Sequence, residues 1–352
     1  MMRYFIATIV FLSLFSCDGD LPENAFLPDS SGERGRLLVL MEESLWNGPM
    51  GDTIQAQLSQ RAPGPYLRKE PIFSYFWKQP ADFNHMNQMG RSIVKFIIDD
   101  DSTYSETAMI ERYDYYAKNQ LFLIIKDSDP NRMLAFVQDQ MDEVIQLFND
   151  FETDQLIRDY KNDFNRRANE LAEKEFGISV AIPSGSKIKM STDSFFFAKR
   201  DRSRTLQGNE ATGIKKGTYW IQQGFLFWKT PVIADSNQMT VAAMLNHRDS
   251  TLKNNFPGEV EGTYMGTEYS EYYEPEGKVF DYNGNKAVEI RGLWIYDGEV
   301  FVGGGGPFVQ YSILNETRNE IVTVCGYIYA PKFDKREYIR EVDAVLQTIE
   351  LK

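Results

Sequence analysis

Gly177-Ile178-Ser179-Val180-Ala181-Ile182-Pro183 marks the point where one kind of periodicity gives way to another. Before it, Ile157, Tyr160, Phe164, Ala168 and Leu171 recur every three or four residues, the spacing of one helix face, and Gly177 is well suited to end that helix. After it the chain is mostly strand-like, with expected strands at 195–199, 219–228, 260–268, 286–295, 308–314 and 321–330. One helix interrupts them from Ser236 to about Leu252, and a last helix from Asp334 buries Ile339, Val342, Leu346 and Ile349. The first half has the same make-up. Leu37-Leu38-Val39-Leu40-Met41 reads as a buried strand, Ser44 caps a helix reaching Ser59, and Pro63, Gly64 and Pro65 stop it. Strands follow at 71–77, 92–98, 109–116 and 120–126, the last two joined by the turn Ala117-Lys118-Asn119. Asp129-Pro130 then starts a helix with Met133, Val137, Met141, Val144 and Phe148 on one face. Both halves mix strands with a few helices and close on a helix. The expectation is α+β: two sandwich-like units, each a largely antiparallel sheet with packed helices, over 34–150 and 178–352, joined by a connecting helix at 151–177.

The N-terminus reads as an address. In MMRYFIATIVFLSLFS, residues 1–16, Arg3 supplies a positive start, and the apolar run over 5–15 is too short to span a bilayer as a stable helix. Leu14-Phe15-Ser16-Cys17 is similar to a bacterial lipobox, which makes Cys17 the lipidated residue and sole membrane attachment. Several acyl chains on one cysteine anchor stably. The next stretch, broken by Gly19, Pro22, Pro28 and Gly32, reads as a flexible tether over 17–33. The expected location is therefore exported and lipid-anchored to the cell envelope, at the outer membrane.

Composition narrows the chemistry. The 352 residues are 42% hydrophobic and 14% aromatic, enough for a sizeable core. Lys plus Arg number 38 against 51 Asp plus Glu, a formal charge of −13 that repels phosphate backbones, so no nucleic-acid partner is expected. Two cysteines and two histidines (Cys17, Cys325, His85, His247) exclude a disulfide scaffold, a cysteine-rich zinc module and an iron–sulfur cluster. No Gly-x-Ser-x-Gly elbow accompanies the histidines. Asp127-Ser128-Asp129-Pro130-Asn131 begins like a calcium loop, but Arg132 stands where glycine is needed, so an aspartate cap on the next helix is the better reading. No cofactor and no metal are expected.

Two stretches remain as candidate sites. Gly303, Gly304, Gly305 and Gly306 precede Pro307-Phe308, and no helix with Lys-Ser/Thr follows as a phosphate loop requires. They read as a sharp turn or bulge between strands, or as backbone open to a partner. With Arg291, Trp294 and Phe308 they make a candidate binding surface: alternation puts Arg291 and Leu293 on one face and Trp294 on the other, where Trp294 and Phe308 could flank the glycines or Trp294 could fill the core. The second stretch interleaves tyrosine and carboxylate: Tyr264, Glu268, Glu271, Tyr273 and Glu274 could stack on and hydrogen-bond a sugar.

The wording of the chain resembles a family of uncharacterised Bacteroidota envelope lipoproteins, domain of unknown function 4837. The resemblance rests on LPDSSG at 27–32, WNGPMGD at 46–52, EPIF at 70–73, TYMGTE at 263–268, RGLW at 291–294, GGPF at 305–308 and YAP at 329–331. It implies a location and a fold, not a reaction. The run of four glycines exceeds the family pattern and suggests a loose loop. The second half also resembles Mog1/PsbP-type domains in its Ile-x-Val-x-Ile-Pro opening, mid-domain helix and closing helix, and most such domains bind or assemble. The reading that follows is a non-catalytic binding or assembly factor with an envelope protein partner. The alternative is an envelope hydrolase or carbohydrate-binding protein using the Tyr/Glu loop.

Overall fold

The computed structural model describes residues 27–64, 68–99, 105–208, 216–233 and 237–352; the leader over 1–16 and Cys17 lie outside the described residues. The first sheet has five strands, β1 (Arg36–Leu40), β2 (Ser74–Lys78), β3 (Ser92–Ile98), β4 (Ala108–Tyr113) and β5 (Leu121–Asp127), in the order β2-β1-β3-β5-β4. Short helices α1 (Glu43–Trp46), α2 (Pro49–Leu58) and α3 (His85–Gln88) lie between them. The α+β class holds, but pairing in this sheet differs from expectation. β1 runs parallel to β2 and β3, β3 runs parallel to β5, and only β4 and β5 are antiparallel. Burial on both faces explains this. Leu37 and Val39 pack toward the helices with Met133 and Phe148, whereas Leu38 and Leu40 join Ile93 and Phe122 on the other side. A strand covered on both faces is written as a continuous apolar run, as Leu37-Leu38-Val39-Leu40 is, and such runs are the mark of parallel pairing.

α4 (Pro130–Asn162) is one helix of 33 residues, so Ile157 and Tyr160 belong to it and not to a second helix. Asp129 is its cap, accepting from the Asn131 amide at 2.8 Å. The break comes at Asp163, and Asn165 restarts the chain as α5 (Arg166–Leu171) by accepting from the Ala168 amide. One π turn (Ala172–Phe176) follows, ended by Gly177 at φ 65°. Residues 28–31, at the end of the expected tether, are hydrogen-bonded along the first sheet to Lys118, Met89 and Arg91.

The second sheet is antiparallel throughout, as expected. It comprises β7 (Lys187–Ser191), β8 (Phe195–Leu206), β9 (Gly217–Pro231), β10 (Thr263–Thr267), β11 (Glu276–Tyr282), β12 (Asn285–Gly298), β13 (Gly305–Asn315) and β14 (Glu320–Tyr329). The order is β10-β12-β13-β14-β9-β8-β7, with β11 beside the first half of β12. β6 (Ile178–Ser179) and β15 (Glu350–Leu351) form a small separate ribbon. α6 (Val241–Asn255) covers one face and α7 (Arg336–Leu346) the other. Ile339, Val342, Leu346 and Ile349 are all buried, as the periodicity requires. α4 packs on β3 and β5 and also against α7, so helices fill the space between the two sheets. The buried carboxylate of Glu70 spans that space: it accepts from the amides of Lys335 and Arg336 at 2.7–2.9 Å, at the start of α7.

Asp127 anchors the start of α4. Its buried carboxylate accepts from Thr107 Oγ1, the Asp129 amide and the Arg132 guanidinium. Burial alone would raise its pKa; these donors outweigh that and hold it down to about 2. A depressed carboxylate stabilises the fold above its ordinary pKa near 4, and that contribution disappears as pH falls through about 2. Asp127→Asn should therefore cost on the order of 2 kcal/mol at neutral pH. In denaturant titrations the gap from wild type should close as pH approaches 2.

Candidate functional site

The second sheet is open at one end. α6 shares the core of its face with Trp294, Phe308, Cys325 and Tyr327, but it stops at Asn255. Beyond it the register sets Trp294 beside Gly306 and Tyr329 beside Gln222, and the Trp294 and Tyr329 rings meet at 6.2 Å. A cleft of about 760 Å³ lies here, with a second of about 490 Å³ adjoining it, and Trp294, Tyr296 and Tyr329 are common to both. Rings stand uncovered at its edges: Phe301 is 95% exposed and Trp220 65%.

Trp294 is the floor of this cleft and only 2% exposed; its indole N–H donates to the Ile328 carbonyl at 3.1 Å. Of the two roles open to Trp294, core filling describes its packing. Phe308 is buried more deeply, beneath the guanidinium of Arg248 at 3.9 Å, and does not line the cleft. Arg291 lies away from it too. Its guanidinium pairs with Asp343 of α7 at 2.6 Å and with Glu289 at 2.5 Å, in a separate polar cleft between α4 and α7. Burial alone would lower its pKa, but Asp343 and then Glu289 outweigh that and raise it. The sheet thus separates Arg291 from Trp294 and the glycines, as strand alternation requires.

The four glycines are close-packed at three positions, so the loop is tighter than its composition suggests. A Cβ on Gly304 would lie 2.8 Å from the Tyr296 ring, and one on Gly305 or Gly306 would collide with the carbonyl of Trp294 or Ile328; Gly303 faces open space. Gly305 and Gly306 are β13 residues paired with Ile295 and Trp294. Here glycine serves close approach, not turning.

The Tyr/Glu stretch divides. Glu268 and Tyr273 line the large cleft, while Glu271 and Glu274 are exposed. Tyr264 sits in a smaller recess with Asp249 and Asp297, where its hydroxyl donates to Asp297 at 2.7 Å and its pKa is raised by that bond. Cys325 is a fully buried thiol, and burial pushes its pKa up. The His247 ring lies 3.2 Å from Thr230 Oγ1.

Sequence reading passed over the basic wall of the large cleft: Arg68, Lys332 and Lys335. Lys332 sits at φ 73°, in the turn closed by the Phe333 amide donating to Ala330. Proline in second place (Pro331) and a positive φ in third make this a type II turn, where glycine is the usual third residue. A residue with a Cβ gives up about 1–2 kcal/mol in that conformation. Burial pushes the Lys335 amine below its ordinary pKa, against the pull of Glu70. The Pro-Lys pair signals a turn, but nothing local signals that Arg68 would meet it.

Two family models match the chain, Domain of unknown function (DUF4837) over residues 165–348 and Domain of unknown function (DUF8532) over residues 30–161. The first covers more than half of the chain. The protein belongs to the DUF4837 family. The two matches meet where α4 ends and α5 begins. No curated protein matches the sequence. Among solved structures, the Ran-binding protein Mog1p of Saccharomyces cerevisiae is similar at 10% identity, covering 50% of this chain and 90% of its own, with a TM-score of 0.31. Cyanobacterial PsbP from Synechocystis is similar at 10% identity over 48% of this chain and 93% of its own, with a TM-score of 0.25. Apart from Arg68, every residue named in the large cleft falls within the DUF4837 match.

The glycine packing is directly testable by substitution. Gly306→Ala should destabilise by about 1–3 kcal/mol through the forced shift of β14. Gly303→Ala should stay within about 0.5 kcal/mol of wild type. Thermal unfolding of the two variants separates close approach from looseness.

Proposed function

We propose that this DUF4837 protein is a lipid-anchored binding or assembly factor of the cell envelope, attached through Cys17 at the outer membrane and docking an envelope protein on the rim of the open sheet end. One observation carries the docking surface: Phe301 and Trp220 stand 95% and 65% exposed at two adjoining clefts that share Trp294, Tyr296 and Tyr329. Large rings left in water beside a recess are the usual composition of a binding anchor, and they contribute contact area at little entropic cost. The anchor reading rests on the lipobox-like Leu14-Phe15-Ser16-Cys17.

Two measurements test this. Cys17→Ser should move the protein out of the membrane fraction; retention after a high-salt wash refutes the anchor. A photo-crosslinking residue at position 301 in intact cells should give a discrete protein adduct, while the same residue at Met86, 81% exposed on the first unit, should not. Equal adduct patterns at both positions refute the docking surface. Glycan binding is the second reading, favoured by Glu268 and Tyr273 beside the rings of the same cleft. It predicts retention on insoluble peptidoglycan that Tyr273→Ala abolishes.

A further inference from the structure

We propose that the basic wall of the large cleft binds a small anionic ligand, a carboxylate or phosphate monoester carried on a flat apolar body. Three cations line the recess, Arg68, Lys332 and Lys335, in a chain of formal charge −13. Among the described residues neither Arg68 nor Lys332 has a hydrogen-bond or ion-pair partner. The two acids of the recess are engaged internally. Glu268 accepts from the Ser270 amide at 2.7 Å, and Asp297 accepts from the Tyr264 hydroxyl and the Gly298 amide at 2.7 and 2.8 Å. The lining therefore carries three cations against two hydrogen-bonded carboxylates, a net positive charge, beside the rings of Tyr273, Tyr296 and Tyr329. Its volume of about 760 Å³ suits a small molecule.

Lys332 gives a second, independent argument. It occupies a left-handed position where glycine would be relaxed, and among the described residues its ammonium makes no hydrogen bond or ion pair that would repay the strain. A strained residue with an unpartnered charge facing a cleft is accounted for by what enters the cleft.

This site goes beyond the docking reading, because a ligand on the wall requires no adduct at Phe301, and an adduct requires no ligand. The test is calorimetric titration of the full chain with 1-naphthoate, 1-naphthyl phosphate and neutral 1-naphthamide, with inorganic phosphate alone as a further probe. At least one naphthyl anion should bind, at least tenfold more tightly than naphthamide and more weakly as salt rises. The stronger of the two anions identifies the headgroup, and inorganic phosphate alone should be weaker than either naphthyl anion that binds. Lys332→Gly should weaken that anion about tenfold, leave naphthamide unchanged and raise the melting temperature by roughly 1–3 °C. Arg68→Gln should weaken the anion in the same direction. Equal binding of anion and amide, no binding of either anion, or wild-type affinity in Lys332→Gly would overturn the site. A lower melting temperature for Lys332→Gly would overturn the strain argument.

Discussion

The carboxylate of Glu70 at the head of α7 is the contact on which the relation between the two sheets turns. Glu70 belongs to the first unit and α7 to the second, and the carboxylate satisfies amides that no residue of the helix itself can reach. Burial raises its pKa, and the Lys335 and Arg336 amides work against that shift by favouring the charged form. The cap does not act alone. Arg336 donates to the Pro71 carbonyl, and Arg340 donates to Asn149 of α4 at 2.9 Å. The same arrangement builds the basic wall of the cleft. Arg68 lies two residues before Glu70, Lys335 immediately precedes α7 and Lys332 lies in the turn just before it, so the bond that joins the units also brings cations from both to one recess.

What the sequence discloses follows the range of the interaction. The α7 face, the β12–β13–β14 run and the Asp129 cap are local patterns, and all were legible. The parallel sense of the first sheet was not read from the sequence: the apolar runs at 37–40 and 121–125 carry it, but β3 is interrupted by Lys95, and such runs are easily taken for ordinary buried strands. The continuity of α4 was harder to read. Its buried set extends through Phe151, Leu156 and Tyr160, and the break depends on Asn165 finding the Ala168 amide, which the apolar spacing does not record. The cleft was half legible. Trp294 and the glycines could be found from one strand and its neighbour, whereas Arg68 and Lys332 meet only through the Glu70 contact.

Composition also misleads where it stands in for packing. Four consecutive glycines suggest a mobile loop, yet three of them are required because Tyr296, Trp294 and Ile328 leave no room for a Cβ. Phe308 looked like a cleft wall because it follows the glycines. It is instead held under Arg248, a fully buried guanidinium that donates to Thr267 Oγ1 and lies against Asp249. Among the described residues Nε and Nη2 of Arg248 have no geometric hydrogen-bond partner, a costly arrangement for a buried charge, and the contacts of Arg248 tie α6 to β10 and β13.

That fixing bears on why the cleft exists. α6 is held over Cys325 and Phe308 and ends at Asn255, where Phe256-Pro257-Gly258 follows. The Phe256 ring packs edge-on against Phe197 at 4.7 Å and also against Tyr327. Proline next in line cannot extend the helix. Pro257 then bridges to Tyr264, which turns the chain back into β10 before it can cross Trp294. The aromatic floor thus lies outside the area that α6 covers, and Phe256-Pro257-Gly258, which lead the chain from the helix towards β10, do not line the large cleft.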